Sequence, residues 1–141
     1  MTFLLRTGLL LVAVGVAACG SDSPTGPTLP IAPPSGLSPT LSSIQREIFN
    51  PSCVEHHGDH AIEGDLDLRD GQSYAQLVNH LAFQVTLDRV EPNDPEASYL
   101  ILKLEGRSGI VGDRMPPSAP FLSAAQIDVI RDWITAGAQN N

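Results

Sequence analysis

Apolar residues recur every three or four positions in four segments of the chain, which is the spacing that places them on one face of a helix. The first predicted helix carries a capping signal at Ser42 and ends at Asn50-Pro51. The other three begin at Ser73, at the Asp94-Pro95 pair and at Ser123. The apolar positions of the four faces are Leu41, Ile44, Ile48, Tyr74, Leu77, Val78, Leu81, Tyr99, Leu100, Leu102, Leu104, Ile127, Ile130 and Ile134.

The ends of two helices and the lack of strand patterns complete the predicted fold. Gly106 and Gly137 follow the last apolar positions of the third and fourth helices, where glycine commonly ends a helix. No segment of four or more residues alternates clearly between apolar and polar side chains, so no strand is predicted. We therefore expect an all-α fold of about four helices, with long loops after Cys53 and between Gly106 and Pro120.

The first 40 residues have a different pattern, typical of export and tethering. The apolar run at 8–18 follows one positive charge, and it has the length of a signal-peptide core, shorter than the roughly 20 residues that span a bilayer. Val-Ala-Ala-Cys at 16–19 resembles the lipobox of bacterial lipoproteins, which predicts a lipid on Cys19. Six of the 12 prolines lie at 20–40, a composition that favours an extended, solvated chain.

These features divide the chain into a signal peptide at 1–18, a lipidated cysteine with its Pro/Ser/Gly-rich tether at 19–40, and one folded domain at 41–141. We expect an exported lipoprotein that is held on the periplasmic side of the cell envelope by its lipid. Gly20 and Ser21, where an Asp would favour inner-membrane retention, indicate the outer membrane in a cell that has two membranes.

The charge balance limits the partners. The chain has 8 basic and 16 acidic residues, a net charge of -8, whereas nucleic-acid binders need a positive surface to displace the counterions of phosphates. Nucleic acid is therefore excluded as a partner. Because most of this charge lies in the folded domain, we expect a protein partner with a basic docking face.

One loop concentrates residues that bind metals. Cys53, His56, His57 and His60 lie within eight positions, in a chain that has only two cysteines and four histidines. Cys-Val-Glu-His-His at 53–57 is similar to the c-type haem motif Cys-x-x-Cys-His, with His56 in place of the second cysteine. The same four residues could bind zinc or copper, since thiolates and imidazoles are common ligands of both metals.

A resemblance to a known family extends from this motif over residues 43–138. The segments that carry it resemble, in order, those of the planctomycete-type cytochrome c domains exported by bacteria. They are Ile-Phe-Asn-Pro-Ser-Cys at 48–53, Gly-Asp-Leu-Asp-Leu at 64–68, Glu-Pro-Asn-Asp-Pro-Glu-Ala-Ser at 91–98, Leu-Lys-Leu at 102–104, Asp-Arg-Met-Pro-Pro at 113–117, Leu-Ser-Ala-Ala-Gln-Ile at 122–127, Trp-Ile at 133–134 and Gly-Ala at 137–138.

The resemblance implies a small class I cytochrome c-like domain that transfers one electron and is not an enzyme. In this family His57 would be the proximal ligand of the haem iron and Met115 the distal ligand. Cys53 would supply a single thioether to haem c. The replacement of the second cysteine leaves three states open: haem bound through one thioether, haem bound without a covalent bond, and no haem.

Two other interpretations remain open from the residues alone. The domain could bind zinc or copper, with His56 and His60 among the ligands. It could also have lost its cofactor and act as an interaction or structural module of the cytochrome fold. A nucleophilic role for Cys53, with His57 as its base, is disfavoured because no oxyanion-hole segment is recognisable.

Overall fold

The computed structural model describes residues 36–59 and 61–141, and helices dominate this part of the chain. The α-helix α1 (Leu41–Ile44), a π-helical segment (Gln45–Phe49) and the short α2 (Asn50–Ser52) follow one another without a break and form the N-terminal helix. Three further helices are α3 (Ser73–Leu77), α4 (Tyr99–Glu105) and α5 (Ala124–Thr135). Two-residue strands β1 (His57–Gly58) and β2 (Ala61–Ile62) pair antiparallel, and a 3₁₀ turn spans Glu63–Asp65.

The N-terminal helix differs at both ends from its prediction. Thr40 caps it, since the Thr40 hydroxyl accepts a hydrogen bond from the amide of Ser43, so the predicted cap at Ser42 is wrong. Asn50-Pro51 does not end the helix, which continues to Ser52. Pro51 lies in the first turn of α2, directly after the π-helical segment, where its fixed φ suits a helix and its missing amide donor is tolerated.

The next two predicted helices are shorter than expected, and the residues predicted to cap them have other partners. The Ser73 hydroxyl donates to Gln45 Oε1 at 2.6 Å instead of capping α3, and the helix ends at Leu77. Asp94 does not cap α4: its Oδ1 accepts from the amides of Glu96 and Ala97 in a separate turn ahead of the helix. Because α3 ends at Leu77, Leu81 does not share a helix face with Tyr74, Leu77 and Val78 as predicted, and it is 60% exposed.

The last helix and two glycines follow their prediction. Ser123 and Gln126 form the predicted capping box at the start of α5. Gly137, just beyond the end of α5, has a φ of 96°, a conformation that favours glycine. Gly106 ends α4 with a φ of 68°, and a Cβ there would lie 3.0 Å from Arg114 Cδ.

A single cluster of buried residues joins the N-terminal helix, α4 and α5. It also takes in residues on the connecting segments, and its centre is α5, of which Ile130, Trp133 and Ile134 are almost fully buried. The fold is thus helix-rich with few strands, as predicted in coarse terms for an all-α domain. Among the helices of the described residues, none has the length and apolar character that crossing a membrane requires. The predicted signal peptide and Cys19 lie outside the described residues.

Candidate cofactor site

A cleft opens between the end of the N-terminal helix, the 57–68 segment, α4 and the loop that follows α4. Its empty volume is about 1020 Å³, which includes the solvent at its open mouth. Sites for small molecules and cofactors are typically apolar concavities with a few polar groups. The residues that line it include Ile48, Phe49, Cys53, His57, Glu63, Leu66, Leu68, Phe83, Arg89, Tyr99, Lys103, Leu104, Val111, Asp113, Met115 and Ile130.

Cys53 enters the cleft from the end of the N-terminal helix. Its amide donates to the carbonyl of Phe49, and its Sγ lies 3.9 Å from the carbonyl oxygen of Ile48. Burial raises the pKa of the Cys53 thiol to about 12, because a thiolate would be poorly solvated there. At neutral pH Cys53 is therefore a thiol, packed against the core cluster.

His57 is held by three backbone contacts at the start of the β1–β2 hairpin. Its amide donates to the carbonyl of Cys53, and its carbonyl accepts from the amide of Leu68. Nδ1 of the imidazole lies 2.8 Å from the carbonyl oxygen of Glu63. A carbonyl only accepts, so Nδ1 carries the proton and Nε2 keeps a lone pair. Burial lowers the pKa of His57, which favours the neutral imidazole that metals bind.

Met115 reaches the same cleft from the loop after α4. Its amide donates to the carbonyl of Lys103 at 2.9 Å, and its half-buried side chain packs against the core cluster. The structure therefore brings together the three residues that the sequence predicted as cofactor ligands, although Cys53 and Met115 are 62 positions apart. A thioether is a soft donor, and an imidazole with its second ring nitrogen bonded to a carbonyl is a common metal ligand.

The remaining predicted ligands do not join this set. His56 is absent from the cleft lining; its side chain is 44% exposed and its Nδ1 lies 3.7 Å from Glu63 Oε1. His60 lies outside the described residues. Within residues 36–59 and 61–141, no three His, Cys, Asp or Glu side chains are grouped so that they could hold a metal ion.

Two cations in the cleft wall were not anticipated from the sequence. Arg89 is only 4% exposed, and its guanidinium donates to the carbonyls of Gln76, Gly64 and Asp65 and to the Gln76 side chain. Lys103 donates from Nζ to the carbonyls of Val111 and Asp113. Burial lowers the pKa of both groups. The neighbouring sequence gives no sign of either role, because the partners are mainly backbone carbonyls, which carry no sequence signature.

The positive charges of the domain are distributed unevenly. Arg46, Arg69, Arg107 and Arg131 all form ion pairs with carboxylates at the surface. In the part of the chain that the structure describes, the cations without such an ion pair are Arg89, Lys103 and Arg114. The first two line the cleft, and the third precedes Met115. The cleft lining thus holds two cations, Arg89 and Lys103, together with two carboxylates, Glu63 and Asp113.

Comparison with known proteins gives no relative: no family model, no curated protein and no solved structure matches this chain. The resemblance to exported cytochrome domains therefore stays a prediction from the residues.

Proposed function

We propose that the folded domain is a monohaem, c-type cytochrome-like electron carrier with His57 and Met115 as the axial ligands. The observation that carries the proposal is the convergence of Cys53, His57 and Met115 on one apolar cleft. These residues come from a helix end, a hairpin and a loop, so packing alone gives no reason for the three sulfur and nitrogen donors to share a cavity.

The residues of the cleft fit a haem in two respects. His57 has Nδ1 bonded to a carbonyl, which fixes the ring and leaves Nε2 as the donor. The walls are built mainly from apolar side chains such as Phe49, Leu68 and Ile130. Haem also carries two carboxylates, which Arg89 and Lys103 would attract and which Glu63 and Asp113, in the same lining, would repel.

The chemistry that bound haem supplies is a one-electron change between ferrous and ferric iron, with no other bond formed or broken. The chain's own contribution is to hold a thioether and an imidazole in a site of low polarity. Met with His as axial ligands favours the reduced iron and raises its potential relative to two imidazoles. The buried apolar wall limits the access of water to the site.

Cys53 determines the mode of attachment. Its position in the cleft wall supports a single thioether to haem c, and the apolar walls would also retain haem without a covalent bond. His56, which stands where the second cysteine of the motif would be, is not part of the lining. We therefore expect at most one covalent bond between the chain and its haem.

The proposed carrier works at a membrane surface. The signal peptide, the lipid on Cys19 and the tether would hold the domain on the periplasmic side of the envelope. A tether raises the effective concentration of the domain near membrane-bound partners. The domain's 15 acidic and 7 basic residues would direct it toward a redox partner with a basic docking face, and the encounter would weaken as salt rises.

The visible spectrum tests the proposal. The full chain is expressed in a host with cytochrome c maturation genes and reduced with dithionite. We expect a Soret band with sharp α and β bands and one iron per chain. A colourless protein without iron would contradict the proposal, and elemental analysis of the same sample would show whether zinc or copper is bound instead.

His56→Cys tests the attachment. It restores the second thiol of the motif, so the yield of haem that survives denaturation should increase. His80→Cys is the matched control, because His80 is another partly exposed histidine, with its Nδ1 on the carbonyl of Ala75 and no place in the cleft lining. An equal yield for both variants would show that the second cysteine does not limit attachment.

A further inference from the structure

The loop that carries Met115 has no helix or strand of its own. Residues 106–123 form turns and irregular backbone, with glycines at 106, 109 and 112. Its backbone bonds to α4 at two points, from the amide of Arg107 to the carbonyl of Leu102 and from the amide of Met115 to that of Lys103. Between these points, the position of the loop depends on side chains.

Three side chains supply the missing bonds. The Tyr99 hydroxyl accepts from the amide of Val111 at 3.0 Å, and Arg114 Nε donates to the carbonyl of Leu104 at 2.7 Å. Lys103 Nζ donates to the carbonyls of Val111 at 3.0 Å and Asp113 at 2.6 Å. With its own carbonyl bonded to Met115, Lys103 makes three hydrogen bonds to the five-residue segment 111–115.

Among the residues of α4, Lys103 therefore makes the most hydrogen bonds to the segment 111–115. Tyr99 bonds one end of it, and Arg114 belongs to the loop and moves with it. Lys103 lies on a helix that packs against α5, so its position is fixed by the core. It is also the single lysine of the whole sequence, and no carboxylate in the described residues forms an ion pair with it.

We propose that Lys103 is a positioning residue. It fixes the Met115 loop against α4 and so strengthens the ligation of the haem iron by the Met115 thioether. The inference rests on the proposed function. A thioether is a weak ligand, and its bond to iron competes with the freedom that the loop gains when the ligand leaves. Restricting the loop beforehand removes much of that entropic advantage, so loss of the Lys103 bonds should weaken Met115 ligation.

The test compares Lys103→Met with Lys103→Arg in the full chain. Lys103→Met keeps an unbranched, helix-compatible side chain but removes the hydrogen bonds to the carbonyls of Val111 and Asp113. Lys103→Arg keeps the charge and the ability to donate. Arg46→Met is the matched control, since it removes an exposed cation from another helix. Unchanged far-UV circular dichroism confirms that each variant is folded.

Hydrogen exchange provides the first readout. With the two Lys103 hydrogen bonds lost, the hydrogen-bonded amides of the segment, those of Val111 and Met115, should exchange about tenfold faster in Lys103→Met, on the usual net value of one to two such bonds. Lys103→Arg should recover most of the protection, and Arg46→Met should match the wild type. Equal exchange in Lys103→Met and the wild type would overturn the proposal.

The second readout is the ligation of the haem protein. In Lys103→Met, the NMR signal of an iron-bound methionine methyl group should weaken or disappear in the reduced protein, the potential should fall, and Lys103→Arg should restore both. A wild-type protein with methionine ligation and an unaffected Lys103→Met variant would refute the positioning role while leaving the electron-transfer proposal intact. A wild-type protein that binds no haem would refute both.

Discussion

Arg89 is the side chain whose loss should affect the cleft most. It connects three segments, because its guanidinium bonds the end of α3 at Gln76 and the 3₁₀ turn at Gly64 and Asp65, while Arg89 itself lies next to the buried Val90. That turn begins at Glu63, whose carbonyl holds the imidazole of His57. The substitution Arg89→Met keeps much of the apolar stem and removes every donor.

The expected cost follows from the hydrogen bonds. Two of the four contacts, to the carbonyls of Gln76 and Asp65, are short at 2.8 and 2.7 Å. Hydrogen bonds to charged groups contribute about 1.5–3 kcal/mol each, and removing the buried charge recovers part of that. We expect a net loss of about 3 kcal/mol in the free energy of unfolding. For a domain of this size, that is a fall of about 12–24 °C in Tm.

Thermal and urea unfolding, followed by circular dichroism, measure this loss. Arg46→Met is the control, because Arg46 is exposed and pairs only with its neighbour Glu47, so its loss should cost less than about 0.5 kcal/mol. The loss of unfolding free energy in Arg89→Lys, which has one nitrogen in place of the guanidinium, should lie between the losses in Arg89→Met and Arg46→Met. If Arg89→Met unfolds within about 1 kcal/mol of the wild type, the reasoning that Arg89 joins these segments is wrong.

Three further outcomes are expected. In haem-free native protein at pH 8, iodoacetamide should modify Cys53 at least roughly a thousandfold more slowly than in urea, because a pKa of about 12 leaves almost no thiolate; peptide mapping that finds rapid native labelling would contradict this. Gln45→Leu should cost about 1–3 kcal/mol in urea unfolding, since it leaves the buried Ser73 hydroxyl without its acceptor, and a neutral effect would refute that role. Ser123→Ala should cost about 1 kcal/mol by removing the cap of α5, with Ser42→Ala, at a position that does not cap its helix, as the unaffected control.

The helices were predictable where the sequence determines them locally. The capping box at Ser123 and the glycine after α5 depend on residues a few positions apart, and both were confirmed. Ser73 and Asp94 carry equally good capping signals, yet their side chains bond elsewhere. For Ser73 the cause is Gln45, a buried acceptor 28 positions away, which no local pattern reveals, whereas Asp94 bonds the nearby amides of Glu96 and Ala97 in a turn ahead of α4.

The candidate site also has residues that the sequence predicted and residues that it did not. Cys53 and His57 belong to one short motif, and Met115 to a short segment of the family resemblance, so the sequence predicted residues that the fold then places around one cleft. Arg89 and Lys103 escaped prediction because their partners are mainly backbone carbonyls, between 8 and 25 positions away along the chain. A carbonyl has no sequence signature, so such contacts become visible only in three dimensions.

Spectroelectrochemical titration of the purified full chain tests the central claim most directly. It records the visible spectrum while the applied potential is varied in both directions. We predict a reversible transition that fits one electron per chain. In the Met115→Ala variant this transition should be lost or should move to a lower potential. A chain that shows no redox-linked absorbance change, or a wild-type transition that the Met115→Ala variant leaves unmoved, would contradict electron transfer with His57 and Met115 as ligands.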